Sequence, residues 1–454
     1  MKHEYIYRTA LSSPEYNLAA EKITSCRDQD VLIVSHDDPD GICSAVMLAR
    51  ALHRLGVRSH VRLPPRFMLS ADELREYAEA CGLSPQGRVF CLDKGVSESY
   101  DELTEVVEDV VIIDHHPPQG IPRKVLVVNP SLESWVRAST THVLYMVLVL
   151  AGLADEGDVI ADLLGLTGDF ALKTVPEEVA SLALELVDHA RSAHPHLFES
   201  RQIRPTMFDV KQRRQTSLLH QITELVHAVS GGGFQFFYGD RNVLLEHVDP
   251  PRHIFNQLLG YLTAGRTAAE DTLEEFIAAL PDPQLTELMF RYYLEDWEKY
   301  SSLLQASVEI VQLGKVHVYL FIGDRIKLTP MLGSVKLHEM AERLGHQHAI
   351  IIIVNVKMDC LHVSMRGTGE KLHCGQMCGN LATRLRERLH IDQVSGGGHP
   401  VAAELVVRED GVPPLSVIKE IMDYLGEVET IAGRASNDAA RKVAADLGLA
   451  DPEV

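Results

Sequence analysis

VLIVSHDDPDGICSA, residues 31–45, is the stretch on which the reading of this chain turns. Four apolar, β-prone residues, Val31-Leu32-Ile33-Val34, lead into the turn Ser35-His36-Asp37-Asp38-Pro39-Asp40-Gly41. A helical pattern then runs from Ile42 to Leu55 and stops at Gly56. A strand thus hands over to a helix through a turn that holds three aspartates and one histidine. In an open α/β sheet that edge is where ligands bind. His36, Asp38 and Asp40 lie two residues apart, and oxygen donors joined by one nitrogen suit Mn²⁺ or Mg²⁺ better than zinc. An Asx-type turn capping the helix, with acids at its N-terminus, accounts for the same residues. The rest of the chain has to separate the two readings.

Outward from this stretch, apolar runs recur at His60–Leu63, Val89–Leu92, Val110–Ile113 and Val125–Val128. Helical patterns at Ala71–Cys81 and Ser97–Glu108 lie between them. This βαβα order, with near-continuous apolar strands, predicts an α/β fold with a doubly wound parallel sheet. Helices are expected at Ser139–Leu150, Asp155–Phe170 and Glu177–Ala193, and the His/Pro-containing segment Ala193–Pro205 reads as a boundary. Residues 211–312 read as helical and end in one long helix, Gln284–Leu313. Its Leu288, Met289, Tyr292, Tyr293, Trp297, Tyr300, Leu303 and Leu304 share a face, a spacing that favours packing over base stacking. Ser230-Gly231-Gly232-Gly233 lacks the Lys-Ser/Thr of a phosphate loop and reads as a hinge or turn.

From residue 314 a second, smaller α/β unit is expected. Its strands are Lys315–Ile322, Ala349–Val356, Leu361–Arg366 and Ala402–Val407, with a hairpin turn at Lys357-Met358-Asp359. Its helices are Val335–Leu344, Gln376–Leu389 and Pro414–Leu425. The division that follows is 1–195, a helical insert at 196–312, 313–430, and a tail helix at 431–454.

The bulk properties bound the function. A chain of 454 residues has room for two to four domains with real cores. It has no run of about eighteen apolar residues, so no membrane span is expected. MKHEYIYRTA has no apolar signal region, and the seven cysteines are scattered, which together predict a cytoplasmic protein with free thiols. Cys374 and Cys378 are four apart, but no second pair completes a zinc site. The net charge of −21 argues against indiscriminate coating of nucleic acid. It is compatible with a nuclease, because a metal cluster and a narrow basic groove coexist with an acidic exterior.

Three further acid or imidazole clusters occupy strand ends or helices of this region. Asp93 follows the Val89–Leu92 run, Asp114-His115-His116 follows Val110–Ile113, and Asp169 closes Gly165-Leu166-Thr167-Gly168-Asp169. The carboxyl ends of parallel strands converge on one edge, so Asp38, Asp40, Asp93 and His115 can meet there. Taken singly, an aspartate after a strand is usually a cap or turn residue.

Together these motifs resemble the DHH phosphoesterase superfamily. The resemblance rests on His36-x-Asp38-x-Asp40-Gly41, Asp93, Asp114-His115-His116 and Gly165-x-x-Gly168-Asp169. Ser395-Gly396-Gly397-Gly398-His399-Pro400 and Ser364-Met365-Arg366 are similar to two signatures of the superfamily's DHH-associated domain. The matches run in family order from residue 31 to residue 404. The resemblance implies two divalent ions, Mn²⁺ or alternatively Mg²⁺, with Asp93 bridging them. It implies His36 and Asp38 on one ion with Asp169, Asp40 and His115 on the other, and His116 touching the phosphate or orienting a water. Asp37 and Asp114 would play supporting roles. In the C-terminal unit it implies phosphate contacts from Arg366 and His399 and close backbone approach at Gly396, Gly397 and Gly398, with this unit closing over the metal edge.

Within the superfamily, the His-x-Asp-x-Asp-Gly form and the helical insert are most similar to archaeal RecJ-like single-strand exonucleases. That implies a single-stranded DNA, RNA or oligonucleotide substrate, no membrane partner, and replication or repair partners such as GINS or a helicase. Oligonucleotide or cyclic-dinucleotide phosphodiesterases, and a non-enzymatic scaffold subunit of the replicative helicase, are the alternatives. Arg201, Arg204, Lys211, Arg213 and Arg214 form a basic run at the entry to the insert that reads equally as a strand-tracking surface or a solvated linker.

Overall fold

A computed structural model of the chain describes residues 13–434, apart from residues 28–29, 65, 175–176, 203–205, 209–214, 232–244, 358–359, 370 and 410. The chain divides into two compact units, with the main division between Tyr293 and Leu294.

The first unit opens with α1 (Pro14–Thr24), β1 (Val31–Ser35), α2 (Pro39–Arg54), β2 (Ser59–Arg62), α3 (Ala71–Cys81) and β3 (Arg88–Leu92). A 3₁₀ turn (Glu98–Glu105), β4 (Asp109–Ile113) and β5 (Leu126–Val128) follow. The strands form one parallel sheet in the order β2-β1-β3-β4-β5. Leu32, Val34, Val89, Cys91, Val110 and Ile112 share a core with Leu74 of α3 and with Tyr100 and Leu103. The alternate residues Val31, Ile33, Phe90, Val111 and Ile113 are equally buried. Both faces of the sheet are covered, which is why these strands read as unbroken apolar runs.

The unit continues through α4 (Thr140–Leu150), α5 (Glu156–Gly168), β6 (Leu172–Thr174), β7 (Glu177–Val179), α6 (Leu184–Ala193), β8 (Arg201–Gln202) and β9 (Gln215–Thr216). It then adds α7 (Leu218–Ser230), α8 (Pro250–Thr263), α9 (Leu273–Ala278) and most of α10 (Pro283–Leu304). Helix α2 packs against α4, α5 and α8, while α7 packs against α5 and α8. Arg50 of α2 pairs with Asp158, lies 2.9 Å from Asp155 Oδ2 and donates to the Leu262 carbonyl at 3.3 Å. The helices expected as a separate insert are thus part of the first unit. The physical reason is that α7 buries Leu218, Leu219, Ile222, Leu225 and Val226 completely.

Two expected helices are shorter than their sequence pattern. Residues 177–179 pair with β6 as a strand, so the helix expected over Glu177–Ala193 begins only at Leu184. The helix expected to reach Leu313 ends at Leu304, because Val308–Leu313 pairs with the next strand and carries β-branched Val308, Ile310 and Val311. Met289, Tyr293, Trp297, Tyr300 and Leu304 of α10 are buried.

The second unit comprises β10 (Val308–Leu313), β11 (Val316–Asp324), α11 (Thr329–Leu344), β12 (His348–Val356), β13 (Leu361–Gly367), α12 (Cys374–Leu389), β14 (Val394–Gly398), β15 (Ala402–Val407) and α13 (Pro414–Arg434). Its sheet has the order β10-β11-β12-β13-β15-β14, with only β11–β12 parallel. Val318, Ile350, Ile352, Val354, Val363, Met365 and Leu405 form a core with Met377, Leu381, Leu385, Ile421 and Leu425 of α12 and α13. The β12–β13 register confirms the hairpin, while its tip, Met358-Asp359, lies outside the described residues. So do Gly232-Gly233, Arg204, Lys211, Arg213, Arg214 and the tail from residue 435. Among the described residues no helix is long and apolar enough to cross a membrane.

Candidate metal centre

The parallel sheet aligns its strand ends. The ladder continues one residue past each strand: His36 N–H donates to Leu92 O (3.3 Å), Asp93 N–H to Ile113 O (3.1 Å) and Asp114 N–H to Val128 O (3.0 Å). His36, Asp93 and Asp114 therefore stand in a row along the carboxyl edge. Asp93 adopts φ 56°, a left-handed backbone that aspartate tolerates better than most residues and that concentrates at functional sites.

The turn after β1 serves both of its sequence readings. Asp38 is the N-cap of α2, accepting from Gly41 N–H at 2.9 Å through Oδ1. Its Oδ2 lies 3.0 Å from His36 Nδ1. A side chain at Gly41 would put Cβ 2.5 Å from the His36 carbonyl oxygen, so the turn closes this tightly only with glycine. Asp40, in the first turn of α2, is fully buried. Its two carboxylate oxygens accept from Thr140 N–H (2.6 Å) and Thr141 N–H (2.8 Å), at the start of α4. Thr140 Oγ1 also donates to Asp93 Oδ1 at 3.1 Å.

Helix α5 brings Asp169 in from its C-terminal end. It can pass so close because Gly165 faces Thr141 and Asp40: a Cβ there would stand 2.8 Å from Asp40 Oδ1. His115 Nε2 lies 2.6 Å from Asp169 Oδ2, 3.6 Å from Asp93 Oδ1 and 3.8 Å from Asp40 Oδ2. Three overlapping groupings result, His36–Asp38–Asp93, Asp40–His115–Asp169 and Asp93–His115–His116, and the ligand atoms within each lie within 4.8 Å of one another. Asp93 belongs to the first and the third, and lies 3.6 Å from both His115 Nε2 and His116 Nδ1. All six residues expected to hold metal meet at this edge. Asp169, expected beside His36 and Asp38, stands instead with His115 and Asp40, because α5 packs against α2 and delivers it from that side.

The donor set fits hard divalent cations. His36 Nδ1, Asp93 Oδ2, His115 Nε2 and Asp169 Oδ2 are buried without a hydrogen-bond partner, although they lie close to one another. Atoms that approach but do not align for hydrogen bonding are what ligands facing a common ion look like. Burial pushes the Asp40 carboxyl well up, and Asp93 and Asp169 add to the effect. Burial pushes Asp169 up too. Burial alone would lower His36 and His115, but nearby carboxylates outweigh it and raise both rings well above their ordinary value. The cluster thus gathers negative charge that only protons or cations can offset.

Around this core the structure assigns supporting positions. Asp114 accepts from Gly95 N–H (2.7 Å) and His116 N–H (2.7 Å), and lies 3.2 Å from His116 Nδ1. The Phe67 ring stands edge-on to His116 (4.7 Å) and His36 (5.6 Å). Its loop is held by the buried Lys94, which donates to the carbonyls of Pro64 and Arg66, and by Tyr100, whose hydroxyl accepts from Leu69 N–H. Phe67, Lys94 and the Thr140–Thr141 amides escaped the sequence reading. Only the capping triplet Ser139-Thr140-Thr141 before an apolar helix carried a signal, since a helix start directs N–H groups at an anion.

The remaining expected residues lie in the second unit. Gly396–Gly398 forms most of edge strand β14. A Cβ at Gly396 would collide with the Cys378 carbonyl on α12, so that glycine is required for helix packing. His399 is exposed at the turn into β15, its N–H bonded to Ala402 O at 2.7 Å. Arg366 is nearly buried: its guanidinium donates to Pro330 O (3.0 Å), Met365 O (2.8 Å) and Ala403 O (3.0 Å), and lies 3.4 Å from Glu404.

The profile of the DHH family, N-terminal domain, matches residues 30–168. The chain is similar to the crystal structure of an exonuclease RecJ bound to manganese, at 16% identity and a TM-score of 0.56, over 90% of this chain and 94% of that one. It is also similar to the DHH domain of a protein described as a member of a ribosomal-protein family, at 16% identity and a TM-score of 0.58, over 93% and 92%. RecJ of Thermus thermophilus in complex with Mn²⁺ matches at 16% identity and a TM-score of 0.54, over 91% of this chain and 55% of that one. At such identities the likeness is one of fold. No curated protein matches the chain.

Proposed function

The chain carries the N-terminal domain of the DHH family, and on that premise we propose that it is a metal-dependent phosphodiesterase that acts as an exonuclease on single-stranded DNA or RNA. The observation that supports this most directly is the set of unpartnered ligand atoms on His36, Asp93, His115 and Asp169. In this reading His36, Asp38 and Asp93 hold one Mn²⁺, while Asp40, Asp93, His115 and Asp169 hold a second, with Mg²⁺ as a substitute. Such a pair supplies Lewis acidity, acidifying a water and offsetting charge on the phosphoryl oxygens.

The protein's own groups do the rest. Asp114 orients the His116 ring through Nδ1, which leaves Nε2 to meet the phosphate or carry a proton. Thr140 and Thr141 hold Asp40 and Asp93 in place. Arg366, His399 and the Gly396–Gly398 backbone contact the substrate's phosphates in this reading. Arg366 would exchange some of its carbonyl partners for phosphate oxygens, which a guanidinium binds more strongly. Replication or repair proteins are the partner class this activity would serve.

Digestion with purified protein and Mn²⁺ tests the reading. The substrates are end-labelled single-stranded DNA, single-stranded RNA, a very short RNA and a cyclic dinucleotide, with EDTA and Asp93→Ala controls. Stepwise shortening of long strands, lost in both controls, is the expected result. Cleavage of only the short or cyclic substrates would move the protein to the small phosphodiesterases. Silence on all four with metal bound would favour a scaffold role.

A further inference from the structure

The second unit contains a cluster of metal-ligating side chains unrelated to the carboxylate centre. Edge strand β10 carries Glu309, which pairs across the ladder with Tyr319 of β11. His317 lies two residues before Tyr319 on the same strand and so on the same face. His346 is delivered by the end of α11. That helix stops at Gly345, which takes φ 73°, and His346 N–H turns back to donate to Ala341 O at 2.8 Å. Three elements with defined geometry thus present two imidazoles and a carboxylate at one spot.

The contacts there are close. His317 Nδ1 lies 2.8 Å from Glu309 Oε1. His346 Nδ1 lies 2.6 Å from the Tyr319 hydroxyl. The two imidazole rings stack with centroids 3.4 Å apart and planes 7° from parallel. One ligand atom from each of Glu309, His317 and His346 lies within 4.8 Å of the other two. Glu309 is exposed and both histidines are half-buried, so an ion can reach them from solvent.

We propose that Glu309, His317 and His346 form a binding site for a divalent transition cation of the zinc class, Zn²⁺, Co²⁺ or Ni²⁺. Two nitrogens and one carboxylate oxygen make a three-residue set that leaves a coordination position to water. Imidazoles make it softer than the aspartate-rich centre of the first unit, so it selects these ions over Mn²⁺ and Mg²⁺. Each ring has one nitrogen against an oxygen partner and a second nitrogen to offer. A tyrosine hydroxyl on the far nitrogen is the outer partner that orients a ligating imidazole. Rotation about the Cβ–Cγ bonds, which is soft for histidine, turns the two parallel rings inward onto one ion. The bound ion ties edge strand β10 to β11 and to the end of α11. The site does not depend on the proposed nuclease activity.

The test uses the full-length chain and the metals alone. Co²⁺ is added and visible absorption recorded, since a four-coordinate site with nitrogen ligands absorbs far more strongly than six-coordinate carboxylate sites. The wild type is expected to show the strong bands and to bind one Zn²⁺ that Mn²⁺ does not displace. His317→Ala and His346→Ala should lose the bands and raise the Zn²⁺ Kd more than about 100-fold, because outer-partner changes alone cost about 10–100-fold. His317→Gln keeps the bulk and the Glu309 contact while removing the ring, which guards against an alanine variant that fails to fold. Unchanged Mn²⁺ binding in each variant verifies the first unit. Zn²⁺ binding by His317→Gln and His346→Ala with wild-type stoichiometry and affinity overturns the proposal, as does a wild type that Mn²⁺ strips of all Zn²⁺.

Discussion

At the scale of single residues, the candidate metal centre depends on atoms that are missing as much as on those present. Gly165 lets α5 approach Asp40 and Thr141, and a methyl group there would collide with both. Gly165→Ala is expected to cost about 1–3 kcal/mol of stability, as overpacking does. It should lower the kcat of the proposed phosphodiesterase activity more than the melting point alone would suggest, because the displaced groups include Asp40; paired melting and rate measurements check this. Phe67 makes the opposite kind of contribution. Its ring braces His36 and His116 edge-on. Phe67→Ala should weaken Mn²⁺ binding about 10–100-fold, the range for residues that orient ligands. Phe67→Tyr should retain most of it, and calorimetric titration distinguishes the two. Neither glycine packing nor a loop phenylalanine announces itself in a linear sequence. The aspartates and histidines after β1, β3 and β4 did, because their spacing around strand ends is local.

At the scale of elements, the start of α4 is the part that sequence patterning undervalued. Ser139 caps it, and the next two amides hold Asp40 while the Thr140 hydroxyl reaches Asp93. Thr140→Val keeps the shape and both amides but removes the hydroxyl. The expected outcome is a stability within about 0.5–1.5 kcal/mol of wild type, the worth of one hydrogen bond. The Mn²⁺ Kd should nevertheless rise about tenfold or more. If Mn²⁺ affinity is unaffected, the hydroxyl does not orient Asp93. Strand β14 shows a second limit of patterning. Val394-Ser395-Gly396-Gly397-Gly398 has almost no β-propensity, and only pairing with β15 makes it a strand.

At the scale of the whole molecule, charge links the centre to stability. Crowded carboxylates destabilise the fold until a cation offsets them, so Mn²⁺ should raise the unfolding midpoint and EDTA should reverse it. A concentration of 100 times Kd corresponds to about 2.7 kcal/mol for one site. Asp93→Ala should abolish most of the effect in a thermal melt. A separate pH dependence comes from His220 of α7, whose ring stacks on Phe208 at 4.9 Å. Burial, aided by Lys173, pushes its pKa from 6.5 down to about 3. The folded form stays neutral while the unfolded chain takes up a proton below pH 6.5. This contribution is therefore intact above pH 6.5 and is lost as pH falls toward 3, at about 1.4 kcal/mol per pH unit. His220→Gln should flatten the decline of stability between pH 6.5 and 5; equal slopes in the two proteins would remove His220 as the cause.

The sequence by itself determined the parallel sheet and its strand positions, and it singled out six candidate ligands that the fold brings to one edge. The strands and the placing of Asp38, Asp40, Asp93 and His115 follow from short-range patterns, apolar runs with polar residues just after them, whereas Asp169, at the C-terminal end of α5, was marked only by its resemblance to a family motif. Tertiary structure decided what depends on long-range packing. It grouped Asp169 with His115 and Asp40, because α5 packs on α2. It grouped α7 to α9 with the first unit, burying α7, in the region that patterning read as a helical insert. It made Val308–Leu313 a strand, because a partner strand lay beside it. It also brought Glu309, His317 and His346 together from three elements, a meeting that no spacing along the chain could have foretold.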